Sequence, residues 1–179
     1  MNPILLEKAE NVVNTLKATG FKIATAESCT GGLVSAYLTA VSGVSDVFEL
    51  GVTSYSCRIK NKILGVSQKT LDEVGAISRE TASQMAENVR EKAEADLGVA
   101  VTGVAGPSSS EGHPVGYVFI SIAGEKGTEV KLFFFWWRDS KDQMRLSGGQ
   151  SLADGESGGN TSIFFPPGRK CKRVSPLGP

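Results

Sequence analysis

Strand-like and helix-like stretches alternate along the first 135 residues, and that alternation restricts the chain to a sheet flanked by helices. Ile4, Leu5, Val12, Val13 and Leu16 recur at helical spacing, so a first helix is predicted from about Pro3 to Thr19. Pro3 suits its first turn and Gly20 ends it. A short strand, Phe21–Ala26, follows, and Glu27–Gly32 breaks it and opens a helix to about Val41. Val47–Tyr55 reads as a second strand, and Arg58–Leu64 and Thr70–Val74 as short helices. Ser78 offers a cap for a long helix to about Ala95, with Ala82, Met85, Ala86, Val89 and Ala93 on its apolar face. Three further strands are predicted at Gly98–Thr102, Val115–Ala123 and Glu129–Phe135. The first is short, apolar and flanked by glycine, as a buried parallel strand would be. The last two are joined by Gly124-Glu125-Lys126-Gly127, a hairpin-like turn that makes one pair antiparallel. The result is a mixed sheet with helices on both faces. Ligands of such sheets sit where strand ends lead into helix N-termini.

The pattern stops near residue 136. Residues 1–135 carry 12 Lys+Arg and 15 Asp+Glu, and the remaining 44 carry 7 and 4, so the neutral total is a −3 body and a +3 tail. Those 44 residues hold 7 Gly, 4 Pro and 6 Ser, too little apolar surface to offset chain entropy. The chain is therefore divided into a folded domain, residues 1–137, and an atypical disordered tail, residues 138–179. The absence of a basic surplus argues against a nucleic-acid binder. No apolar run reaches 18 residues and the N-terminus has no signal-peptide pattern, so neither a membrane span nor export is expected. Cys29, Cys57 and Cys171 match neither a disulfide framework nor zinc spacing, which points to the cytoplasm. One histidine and scattered carboxylates leave no expected metal site.

Three loops can carry chemistry. In Glu27-Ser28-Cys29-Thr30-Gly31-Gly32, a strand-to-helix turn of small residues presents backbone N–H groups that suit a phosphate or an oxyanion. Ser28 is there either a nucleophile or, like Thr30, a helix cap. The string is neither a P-loop nor the G-x-S-x-G elbow. In Tyr55-Ser56-Cys57-Arg58-Ile59-Lys60, a desolvated lysine can act as a base and a tyrosine can relay the proton, since the lone histidine makes a Ser-His-Asp triad a poor fit. Lys60 competes with Lys62 for that role, and each is otherwise a solvated helix lysine. Tyr55 is otherwise a strand residue packed on the core. In Thr102-Gly103-Val104-Ala105-Gly106-Pro107, with His113-Pro114-Val115-Gly116 after it, glycines allow either close approach to a ligand or an ordinary tight connection.

Thr25-Ala26-Glu27-Ser28-Cys29-Thr30-Gly31-Gly32 resembles the signature of the CinA C-terminal domain, the nicotinamide-nucleotide amidohydrolase family. The resemblance continues at Val52-Thr53-Ser54-Tyr55 with Lys60, at Leu64-Gly65-Val66, at Gly75-Ala76-Ile77-Ser78, at 102–107 and at Pro114-Val115-Gly116. It implies a three-layer α/β/α sandwich around a mixed, mostly parallel sheet, and a homodimer. It implies hydrolysis of nicotinamide mononucleotide to nicotinic acid mononucleotide and ammonia, without metal or cofactor. It places the catalytic set on Ser28, Tyr55 and Lys60. Substrate contacts are then expected from Thr30, Gly31 and Gly32, taken for the oxyanion. Thr102, Gly103, Ala105, Gly106 and Gly116 are expected on the substrate too, with the phosphate assigned to the 102–107 loop. The family's domain occurs alone or behind a larger N-terminal domain. A non-catalytic nucleotide-binding or damage-related interaction module is the competing reading. After Ser147 the sequence departs from the family, and a frameshift near that residue would explain the loss of a C-terminal helical pattern.

Overall fold

A computed structural model of the chain describes residues 1–135, and the expectations for the tail, the frameshift included, lie outside those residues. The elements in order are α1 (Pro3–Thr19), β1 (Ile23–Glu27), α2 (Leu33–Thr39), β2 (Phe48–Thr53), α3 (Cys57–Lys62), α4 (Gln68–Glu73), α5 (Arg79–Lys92), β3 (Leu97–Gly103), β4 (Tyr117–Gly124) and β5 (Gly127–Phe134). The ends of α1 follow from its sequence. Asn2 Oδ1 accepts from the N–H groups of Ile4 and Leu5, Pro3 fills the first turn, and Gly20 closes it in the left-handed region at φ 71°. One short 3-10 turn, Val44–Asp46, has no periodic signature and was not expected.

The five strands lie in the order β2-β1-β3-β4-β5. β1 pairs in parallel with β2 and β3, whereas β3–β4 and β4–β5 are antiparallel. Only β4 therefore runs against the other four. The hairpin at Gly124–Gly127 is as predicted, and the second antiparallel pair has a simple cause. No helix lies between β3 and β4, and a parallel partner needs a crossover.

Helices cover both faces. On one, Ala9, Val13 and Leu16 of α1 pack with Leu38 of α2 onto Ile23 and Val47. On the other, Met85, Ala86 and Val89 of α5, with Leu64, Val66 and Leu71, meet Ala24, Ala26, Ala100 and Ala123. Met85, Val89, Leu64 and Leu71 are wholly buried, each contributing about 1.5–3 kcal/mol. The alanines on the sheet let α5 approach closely. Gly98 is the limit of that approach, because a Cβ there would run into the Ala86 carbonyl and the Arg90 Cβ. Gly98→Ala is expected to destabilise the fold by about 1–3 kcal/mol, seen as a lower urea midpoint at unchanged slope. Among the described residues no helix is long and apolar enough to cross a membrane.

Candidate active site

The C-terminal ends of β1, β2 and β3 open onto a cleft of about 370 Å³. Ser28, Tyr55, Lys60, Thr102, Gly103, Ala105, Gly106 and Glu111 are among its lining residues. Three chain segments more than 25 residues apart in sequence thus meet at the strand-end position expected of a sheet of this kind.

Lys60 is the deepest of them, at 1 % exposure. Ser56 starts α3 by accepting the Ile59 N–H, and one turn later Lys60 projects inward from that helix. Its Nζ lies 2.8 Å from Ser28 Oγ and donates to the Ser54 carbonyl at 2.7 Å. Burial lowers the lysine pKa to about 8, and the charges of Glu111 and Cys29 only partly oppose this. A useful fraction is therefore neutral near physiological pH, with a lone pair beside a hydroxyl. Lys62 is exposed, whereas Lys60 is the lysine that reaches Ser28.

Ser28 is 7 % exposed and follows β1 directly, its N–H bonded to the Val101 carbonyl. It is not a helix cap, and neither is Thr30. The N-cap of α2 is Gly32, with no side-chain cap of its own. The helix start is satisfied instead by Glu27, which sequence reasoning passed over. Its carboxylate accepts from the N–H groups of Gly32, Val34 and Ser35 and from Ser35 Oγ, at 2.6–3.1 Å. Burial alone would raise the Glu27 pKa, but the Ser35 hydroxyl, Thr30 and these N–H groups outweigh it and the net shift is downward. Thr30 Oγ1 is otherwise buried without a hydrogen-bond partner. The signal in the sequence is an acidic residue directly after the predicted strand, six positions before the first residue of α2. Glu27→Gln brings an amide NH2 against donors and is expected to cost about 2–3 kcal/mol in urea unfolding. Because the folded pKa is depressed, the charged form's contribution is present above the ordinary carboxylate range and lost as pH falls through the folded value. The wild type should accordingly lose its advantage over the variant in acid.

Two of the three N–H groups expected on the oxyanion are engaged elsewhere. The Gly32 N–H is on Glu27 and the Gly31 N–H is on the Ser28 carbonyl. None of Thr30, Gly31 and Gly32 lines the cleft. The N–H groups of Cys29, Thr30, Ala105 and Gly106 make no bond to a backbone carbonyl among the described residues.

The other expected residues divide. Thr102 and Gly103 line the cleft, but the Thr102 hydroxyl donates to the Ala76 carbonyl, which ties β3 to the turn before α5. Ala105 and Gly106 form the cleft wall. Gly116 is elsewhere: it is buried, and a Cβ there would strike the Phe135 carbonyl, so close packing at the start of β4 explains this glycine. Tyr55 is 77 % exposed at the rim of the cleft, not packed on the core. Lys60 Nζ reaches Ser28 Oγ directly, without Tyr55 between them. Cys29 lines the cleft too, but burial pushes its thiol up to about 11, which keeps it protonated and unreactive.

The profile of the family described as the CinA C-terminal domain matches residues 6–149. A competence-damage inducible protein of Caldanaerobacter subterraneus subsp. tengcongensis is 52% identical over 126 residues, 70% of this chain and 31% of that protein. A protein of the same description from Streptococcus pneumoniae serotype 2 is 50% identical over 122 residues, 68% of this chain and 29% of the relative. The chain spans about a third of the length of these curated relatives. Among solved structures, the competence/damage inducible protein CihA of Agrobacterium tumefaciens superposes with a TM-score of 0.71 at 36% identity, over 74% of this chain and 81% of that one. A CinA superfamily protein of Enterobacter cloacae gives 0.72 at 34%, over 74% and 79%.

Proposed function

We propose that this chain, which belongs to the CinA C-terminal domain family, hydrolyses the carboxamide of nicotinamide mononucleotide with Ser28 as nucleophile and Lys60 as its base. The observation that carries the reading is the 2.8 Å contact between Ser28 Oγ and the amine of a buried lysine. A lysine left in that place for packing alone would cost the fold stability for no return, because burial disfavours its charge. A lysine poised near neutrality beside a serine is what nucleophilic amide cleavage without histidine needs.

In the forward step Lys60 Nζ takes the Ser28 proton as Oγ bonds to the carboxamide carbon. The resulting ammonium gives that proton to the departing nitrogen. Ammonia leaves and an acyl-serine remains. A water, deprotonated by the same amine, then attacks the acyl carbon, and the ester bond to Ser28 breaks with return of the proton to Oγ. The Ser54 carbonyl keeps Nζ in place through both halves. The oxyanion is assigned to the N–H of Cys29, a cleft-lining residue next to Ser28 whose N–H is not bonded to a backbone carbonyl among the described residues. The phosphate is assigned to Ala105 and Gly106, which also line the cleft. Tyr55 borders the entrance. The test is ammonia release from nicotinamide mononucleotide by the purified chain, with and without the Ser28 hydroxyl.

A further inference from the structure

Ser54 is wholly buried, and its hydroxyl is one of two buried side-chain oxygens that make no hydrogen bond among the described residues. An orphaned hydroxyl of this kind costs stability and is uncommon in a folded interior. The Ser54 backbone is held on both sides. Its N–H donates to the Glu27 carbonyl at 2.7 Å, and its carbonyl accepts from Lys60 Nζ at 2.7 Å. The side chain continues the alternation of β2, on the face of Leu50 and Val52. Those two residues pack, like Cys57 of α3, against the core of Leu64, Val66 and Met85. Lys60 comes from the same helix. The hydroxyl and the carbonyl that holds Nζ hang from one Cα, so the rotamer of Ser54 is the freedom left beside the amine.

The hydrogen-bonding needs of Lys60 give this hydroxyl a purpose. Nζ makes two bonds among the described residues, with Ser28 Oγ and the Ser54 carbonyl. An ammonium carries three N–H groups. One donor therefore lacks an acceptor when Lys60 is protonated, and at 1 % exposure bulk water does not reach it. The shortfall grows during catalysis. Once Ser28 Oγ has bonded to the carboxamide carbon, one N–H turns to the departing nitrogen, and Oγ is a poorer acceptor than a hydroxyl. Ser54 does not line the cleft, so its hydroxyl serves the amine from the protein side and touches no substrate.

We infer that Ser54 is a positioning residue whose hydroxyl turns onto Lys60 Nζ when the amine is protonated, as the third acceptor of the ammonium. Only the catalytic consequence rests on the amidohydrolase reading, since the hydrogen bond belongs to the lysine in either case. The bond favours the charged form and opposes the burial that disfavours it. The other titratable groups whose charges act on Lys60 are Glu111, from the turn before β4, and Cys29, from the loop after β1. Arg58 and Lys62 on α3 itself are exposed. All four are retained in the variants below, so their effects cancel.

The test follows the Lys60 amine by heteronuclear NMR of the full chain carrying lysine labelled at Cε, with Lys60→Met to assign the resonance. Ser54→Ala removes the hydroxyl at nearly unchanged volume. Because that hydroxyl has no partner with the amine neutral, the variant is expected to melt as the wild type does. Its Lys60 pKa should fall about one pH unit below the wild-type value, a roughly tenfold change in proton affinity. Ser54→Thr restores a hydroxyl and should recover most of that difference. A role in packing alone would move neither value. An unchanged or raised pKa in Ser54→Ala, or the same low value in Ser54→Thr, would overturn the assignment. Ammonia release from nicotinamide mononucleotide separates this inference from the reading it extends. In Ser54→Ala the acidic limb of kcat/KM should move down with the lysine, and kcat should fall about tenfold at the plateau with KM little changed. A shifted lysine in a chain that releases no ammonia even as wild type would remove the hydrolase reading and leave the hydrogen bond. Ammonia release with the lysine unmoved would do the reverse.

Discussion

Ser28→Ala should lower ammonia release from nicotinamide mononucleotide by about four orders of magnitude or more. A nucleophile, unlike a binding group, cannot be partly replaced by its surroundings, because the acyl intermediate has nowhere else to form. Thr30 carries the other hydroxyl of the loop but does not line the cleft. Cys29 lines it with a thiol that burial keeps protonated. The loss should appear in kcat with little change in KM, since Oγ acts on the carboxamide only as bonds change. The variant should also fold. Ser28 is not the cap of α2, whose first turn is held by Glu27, and Lys60 Nζ keeps its bond to the Ser54 carbonyl. Circular dichroism and a melting curve close to wild type would separate lost chemistry from lost structure. Turnover within a few-fold of wild type would rule out Ser28 as nucleophile.

The parts of the molecule legible in the sequence are those governed by local rules. The bounds of α1 follow from Asn2, Pro3 and Gly20 without reference to anything distant. The α5 face with Met85, Ala86 and Val89 shows in its 3.6-residue period. Strand ends were less legible: Phe21 and Lys22 precede β1, where Lys22 instead binds Asp96 through its N–H and Glu49 through its side chain. Those partners are distant in sequence and leave no periodic trace. The site shows the same division. Ser28, Tyr55 and Lys60 could be chosen because their chemistry and the family resemblance pointed to them. Geometry then treats them differently, joining Ser28 to Lys60 and leaving Tyr55 at the rim. Glu27 was missed because it acts through backbone N–H groups, those of Gly32, Val34 and Ser35. Backbone donors have no sequence identity to recognise.

Lys60→Met separates the cost of the base from its use. Methionine has nearly the shape of the lysine stem, so the core around Ser54 and Ser28 stays filled. The buried charge disappears. In the wild type the folded pKa is about 8 against about 10.4 for an unfolded lysine. Between those values the unfolded chain binds a proton that the folded chain does not, so stability rises with pH across that window. Below pH 8 both states are protonated and the penalty for the buried cation is constant. The wild type should therefore gain on the order of 3 kcal/mol relative to Lys60→Met between pH 8 and 10.4. Surface lysines common to both chains cancel in the difference. Urea unfolding at half-unit pH intervals measures it. Activity should follow the same titration. Wild-type kcat/KM should rise as pH increases through about 8, because the neutral amine is the base. Lys60→Met should lose at least about 10²–10⁴-fold at the plateau, and with it that acidic limb. A variant with the same stability difference from wild type at every pH would place the Lys60 proton elsewhere. A variant whose residual activity still rose through pH 8 would assign the base to another group on the cleft wall.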